Sequence, residues 1–185
     1  MLKPLSKFFF SSLLALSLFS CGFNVIYKDD DILASNAHEL ALIRIKKDRD
    51  HLSQELKNSL YDLLNPDYIK TEPKYFLILK VTKSVFPTFI TTTGASGRNR
   101  ITLDIRYELK NLETSATISS GSTSVNDNYD VSTNRYGTYT ADEYVSLNLT
   151  KIAAQNIRNS LVNDLIEARK ECDKNRQDKE FICPL

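Results

Sequence analysis

Apolar positions along this chain change period several times, and each change predicts an element. Residues 40–45, Leu-Ala-Leu-Ile-Arg-Ile, are a short apolar run bounded by charge and predict a first strand. Then Leu52, Leu56, Leu60, Leu63 and Leu64 recur at steps of three and four, with Gln54, Glu55, Lys57 and Asp62 between them. That spacing predicts an amphipathic helix, started by Asp50 as N-cap, stopped at Asn65-Pro66, its leucine face turned to the core. Residues 75–86 predict a second strand, apolar on both faces at its start and amphipathic later, with Pro87 as its limit or a bulge.

Past a Thr/Gly/Ser-rich connection over 88–97, Ile101, Leu103, Ile105, Tyr107 and Leu109 alternate with Thr102, Asp104, Arg106, Glu108 and Lys110. Strict alternation over ten residues predicts a strand with one buried and one wet face. Residues 111–115 turn the chain, and 116–125 return as a Ser/Thr-rich strand nearer an edge. A loop bearing Tyr129, Tyr136, Gly137 and Tyr139 leads to a long helix from about residue 141. Its inner stripe is Ala153, Ala154, Ile157, Leu161, Leu165 and Ala168, and the helical pattern fades near Arg169. The order β-α-β-β-β-α predicts an α+β two-layer sandwich, a four-stranded, mostly antiparallel sheet with two helices packed on one face.

The N-terminus follows different rules. Lys3 and Lys7 precede a mostly apolar run over residues 8–19, the layout of a secretory signal and too short to span a bilayer. The run ends in Leu18-Phe19-Ser20-Cys21, which reads as a lipobox, a branched apolar residue three places before a cysteine and a small one just before it. An ordinary export signal or a short anchor helix is the plainer alternative. On the lipobox reading, residues 1–20 are a signal peptide, 21–38 an acylated tether, 39–169 the folded domain and 170–185 a tail. Several acyl chains on Cys21 would anchor the protein stably, where one would be marginal. Gly22 after the cysteine, in place of Asp, resembles an outer-membrane address, with the domain on the periplasmic side. Asp29-Asp30-Asp31 in the tether reads as a solvated acidic run.

Losing residues 1–20 from the 185-residue chain leaves 165, enough for one core, and takes the net charge from +1 to −1 as Lys3 and Lys7 go. No global field then steers the protein to nucleic acid, so any anion site is a local patch. With Cys21 carrying lipid, Cys172 and Cys183 remain as a candidate disulfide or as two free thiols in an oxidising compartment. His38 and His51 lack ligand-spaced partners, so neither metal nor other cofactor is expected. No Gly-x-Ser-x-Gly elbow, phosphate loop or His-Glu-x-x-His places a nucleophile beside a base, and an enzyme is not expected. Tyr129, Tyr136, Tyr139 and Tyr144 form either an interaction surface or the packing of a loop on the sheet end.

Taken in order, Cys-Gly-Phe at 21–23, a strand, a helix ending near Pro66, a long strand, the Thr/Gly connection with Arg98 and Arg100, Arg-Tyr-Glu-Leu at 106–109, a Ser/Thr return strand, a Tyr-bearing loop and a long helix resemble the short forms of the lipopolysaccharide-assembly lipoprotein family LptE. The resemblance covers roughly residues 21–169. It departs where short forms carry Pro-Leu-Tyr and this chain has Asn24-Val25-Ile26-Tyr27, and the cysteine-bearing tail has no counterpart. What the resemblance implies is a lipoprotein that plugs and helps assemble the outer-membrane barrel LptD and binds lipopolysaccharide on its way to the outer leaflet. Basic residues on this side of the sheet would bind that lipid. Arg98 and Arg100 are placed for its phosphates, since guanidinium pairs with phosphate bidentately, and Arg106 and Lys110 extend the patch. Solvated surface arginines are the bland reading. A periplasmic accessory lipoprotein of an ABC-type lipid transport system is the alternative from another class, and a lipid-anchored hydrolase a third.

Overall fold

The computed structural model describes residues 37–46, 49–90, 92, 94, 96–174 and 183. The signal peptide, Cys21, the acidic run of the tether and most of the tail lie outside them. The described elements run β1 (Ile43–Ile45), α1 (His51–Leu64), β2 (Tyr75–Ile90), β3 (Ser96–Asn111), β4 (Thr117–Asp130) and α2 (Arg135–Lys174). They build one four-stranded mixed sheet in the order β1-β2-β3-β4, with the helices against it, the α+β sandwich expected. β1 runs parallel to β2, with Ile43 opposite Tyr75, and the other neighbours are antiparallel.

The core lies on one side of the sheet. Ile101, Leu103, Ile105 and Leu109 of β3 are fully buried, and above them lie Leu56 and Leu60 of α1 and Ala153, Ala154, Ile157 and Leu161 of α2, equally buried. Truncating a leucine so placed typically costs about 2–5 kcal/mol. Two polar side chains share the inner stripe of α2, Ser146 and Thr150. Each is satisfied on its own helix at 2.7 Å, by the carbonyls of Asp142 and Leu147 respectively. Along its 40 residues α2 reaches roughly 60 Å at about 1.5 Å per residue, so it runs the length of the long strands.

Boundaries follow capping more than periodicity. The Asp50 carboxylate accepts the Ser53 amide at 3.1 Å and starts α1, and the Asn65 amide closes it on the Tyr61 carbonyl at 3.0 Å. α2 begins earlier than its apolar stripe does, because the Asn134 side chain accepts the Tyr136 amide at 2.9 Å. Tyr136, Gly137 and Tyr139, read from sequence as loop, are therefore its first turns, and the helix continues past Arg169 to Lys174. The first strand is shorter than expected. Leu40 belongs to a helical segment over 37–41 and is buried there, leaving three residues of strand. The Arg169 guanidinium pairs with the Glu39 carboxylate at 2.6 Å, tying that segment to the end of α2. Pro87 does not end β2. The register shifts between Pro87 and Phe89 as at a bulge, and the strand runs on to Ile90.

One glycine answers to a close approach. Gly121 of β4 stands opposite Tyr107 of β3, and a Cβ at that position would meet the phenol oxygen at 2.5 Å and Cζ at 2.7 Å. The ring lies over the bare backbone, which fills the space a side chain would take.

Candidate functional site: the uncovered face of the sheet

Because successive side chains of a strand alternate, burying the odd positions of β3 puts Arg98, Arg100, Thr102, Asp104, Arg106, Glu108 and Lys110 on the face that no described helix covers. The pairing register brings polar residues of both neighbours beside them. From β4 come Ser120, Ser122, Ser124, Asn126 and Asn128, opposite Glu108, Arg106, Asp104, Thr102 and Arg100. β2 contributes Lys80 opposite Arg106 and Thr82 opposite Asp104. At mid-sheet these side chains border a shallow depression of about 430 Å³, lined by Lys80, Thr82, Asp104, Arg106, Ser122 and Ser124.

The four cations singled out from the sequence share this face without forming one patch. From Arg98 to Lys110 is 12 residues of strand, roughly 40 Å at about 3.4 Å per residue. At the tip, the Arg98 Nε donates to Asp130 Oδ1 at 2.7 Å, and that bond holds the Asp130 carboxyl below its ordinary range and the guanidinium above its own. Arg100 Nε donates to Asn128 Oδ1 at 3.2 Å, a neutral partner that leaves its charge uncompensated. At the far end the Lys110 ammonium lies 3.2 Å from Glu108 Oε1. The Thr117 hydroxyl donates to the same oxygen at 2.8 Å, and these two bonds, Thr117's foremost, lower the Glu108 pKa.

Arg106 differs from the other three. Its cross-strand neighbour is a second cation, Lys80, and among the described residues neither is within ion-pair distance of a carboxylate. Lys80 escaped the sequence reading. Its even position on β2 was legible, but its place opposite Arg106 follows only from the β2–β3 register, which the sequence does not show. Like charges opposite one another in a sheet repel, and here Asp104 and Glu108, two residues to either side of Arg106 on the same face and diagonal to Lys80, offset part of that repulsion. Two exposed cations side by side, with serine hydroxyls next to them, suit an anion with several oxygens.

The hairpin tip adds apolar surface. Phe86, Phe89 and Ile90 are each 60% exposed, on the same end of the sheet as Arg98 and Arg100. Tyr136 and Tyr139 in the first turns of α2 are exposed, whereas Tyr129 is buried with its hydroxyl accepting from Asn99 Nδ2 at 3.1 Å. Burial is the main cause of the raised Tyr129 pKa. At the other end of the molecule Cys172 and Cys183 are joined, their Cα atoms 5.3 Å apart. Among the described residues no group of three His, Cys, Asp or Glu side chains is placed to hold a metal, and no helix is long and apolar enough to cross a membrane.

No protein-family model and no curated protein matches the chain. Solved structures do. A protein of Caulobacter crescentus CB15 described as a lipoprotein superposes with a TM-score of 0.58 at 18% identity, over 70% of this chain and 95% of that one. Rare lipoprotein B of Shewanella oneidensis superposes with a TM-score of 0.53 at 11% identity, over 69% of this chain and 96% of the other. The domain shares its fold with solved bacterial lipoproteins. At such identities the likeness is one of fold, and the residues on the uncovered face have to be argued from their own chemistry.

Proposed function

We propose that this protein is an outer-membrane lipoprotein of the LptE kind, anchored through Cys21, that sits in the lumen of the barrel LptD, helps it assemble and binds lipopolysaccharide during delivery to the outer leaflet. It works by binding and involves no catalysis. The observation that carries this reading is the uncovered, polar face of the sheet with Lys80 and Arg106 opposed at its centre. Barrel interiors of this type are polar, and the Ser, Asn, Thr and charged side chains that β3 and β4 present on this face suit such a lumen. Lipid A phosphates supply the multi-oxygen anion that two adjacent cations recruit. The shared lipoprotein fold and the lipobox of residues 18–21 support the same reading.

Purification of the acylated protein from outer membranes should bring one large barrel with it in stoichiometric amount. Recovery with no barrel, or with an ABC-type lipid transporter in its place, would refute the assignment. In vitro, Lys80→Glu with Arg106→Glu should weaken lipopolysaccharide binding more than Arg98→Glu with Arg100→Glu, because Arg98 is already matched by Asp130. The Cys21→Ala chain should lose its lipid. Persistent labelling of that variant by a fatty-acid probe would end the lipobox reading.

A further inference from the structure

The sheet has a second polar feature, at its β1 edge and independent of the function proposed above. A groove of about 630 Å³ runs there, lined by Arg44 of β1, Lys46 just past it, Lys57 and Tyr61 of α1, and Ile69 and Lys70 of the connection to β2. The four cations come from three separate segments, and none is ion-paired among the described residues. Beside them Tyr61, Tyr68 and Ile69 are 43%, 66% and 46% exposed, three large apolar side chains within one groove.

The backbone of β1 completes the picture. The Lys46 amide donates to the Leu77 carbonyl at 3.0 Å, and the Leu42 carbonyl accepts from Tyr75 at 3.2 Å, so the even positions point their peptide groups at β2. By alternation the N–H and C=O of Ile43 and Ile45 point away from β2, along the groove, and β1 has no other strand neighbour among the described residues. An open edge is a template for a further strand, and edge cations commonly discourage that. Discouragement accounts for Arg44 and Lys46. It does not ask for Lys57 on a helix and Lys70 in a loop to converge on the same groove, nor for an exposed apolar trio.

We propose that the free edge of β1 docks an extended acidic segment of a partner protein, which adds as a strand beside β1. Its carboxylates are taken by Arg44, Lys46, Lys57 and Lys70, and its alternate apolar side chains rest on Tyr61, Tyr68 and Ile69. Main-chain bonds supply affinity in such strand addition, and the flanking side chains supply selectivity.

The test uses the full acylated chain in detergent and a fluorescent peptide of alternating aspartate and leucine, read by anisotropy. Saturable binding is expected. Lys57→Glu with Lys70→Glu, both outside β1, should weaken it about tenfold, the loss of two surface charge contacts. Methylating alternate backbone nitrogens of the peptide, which keeps every charge and removes the edge-pairing donors, should abolish it. Equal binding of the methylated peptide would overturn strand addition, and no loss in the double variant would overturn the groove as the site. Displacement of the peptide by phosphatidylglycerol vesicles, with the same dependence on Lys57 and Lys70, would assign the groove to a membrane surface and overturn the proposal equally.

Discussion

If Lys80 and Arg106 are held opposite one another for a ligand, removing one charge should move stability and binding in opposite directions. Lys80→Glu converts a like-charged cross-strand pair into an opposite one. Such pairs contribute roughly 0.2–1 kcal/mol either way, so the exchange is worth about 1 kcal/mol. Against it stand Asp104 and Glu108, the two carboxylates diagonal to Lys80, which gain a like-charged neighbour at the longer diagonal distance and return part of the gain. A net stabilisation of about 0.5 kcal/mol follows, a rise of roughly 1–2 °C in Tm for a chain of this size. Urea unfolding with an unchanged m-value measures it, and lipopolysaccharide binding by the same preparation should fall. High salt should shrink the stability difference, because the pair is exposed. Lower stability for Lys80→Glu would show that the wild-type pair is not frustrated. That would refute the argument that the fold tolerates it for function.

The other expectations are briefer. Gly121→Ala should destabilise by about 1–2 kcal/mol in chemical denaturation, because the new Cβ meets Tyr107 at 2.5 Å, and Tyr107→Leu in the same chain should recover most of the loss. Additive effects of the two changes would refute the contact. Arg98→Ala should raise the titration midpoint of Asp130 towards an ordinary carboxylate value, followed by carbon NMR. Since the folded-state pKa of Asp130 is depressed, its small contribution to stability is present above the unfolded value. It is lost as pH falls through the lowered one, and in Arg98→Ala that window should close. Peptide mapping without reduction should return Cys172 linked to Cys183, a crosslink spanning 11 residues that ties the tail to the end of α2. Alkylation of both thiols in unreduced protein would remove it.

What could be read from the sequence was whatever carries contrast between neighbouring residues. β3 was legible residue by residue because each apolar side chain sits between two polar ones, and α1 was marked by Asp50, whose side chain accepts the Ser53 amide, and by Asn65 before Pro66, whose backbone amide closes the last turn. β4 offered less. Its outward residues are Ser and Asn and its inward ones include Ser119, Gly121 and Thr123, so nothing showed that pairing continues past Val125 to Asp130. For that reason the Arg98–Asp130 bond, which takes Arg98 out of an otherwise free patch, was hidden. In α2 the glycine at 137 disguised the first turns as loop, although Asn134 two residues before Tyr136 was a readable cap. The first strand failed for another reason: Leu40-Ala41-Leu42 is apolar enough for either conformation, and the Glu39–Arg169 contact that favours the helical segment joins residues far apart in sequence.

The layer arithmetic of the fold bears on the uncovered face. Both helices lie on the odd side of β3, and α2 alone spans roughly the full length of the strands, so the described chain holds no third element to cover the even side. A sheet left open must be polar there or find a cover elsewhere. Most of the face takes the first course, with Ser and Asn down β4 and matched charges at Arg98 and Lys110. Lys80 with Arg106 at the centre and Phe86, Phe89 and Ile90 at the tip do not, and half-buried Phe76 and Ile78 lie on the same face beside Lys110 and Glu108. Solvation alone would favour salt-matched centres and trimmed tips. Departures from local consistency of this sort are kept where a ligand or partner makes up the loss. A polar enclosure around the face, with an anionic amphiphile that meets cations at mid-sheet and apolar side chains at the tip, satisfies both at once.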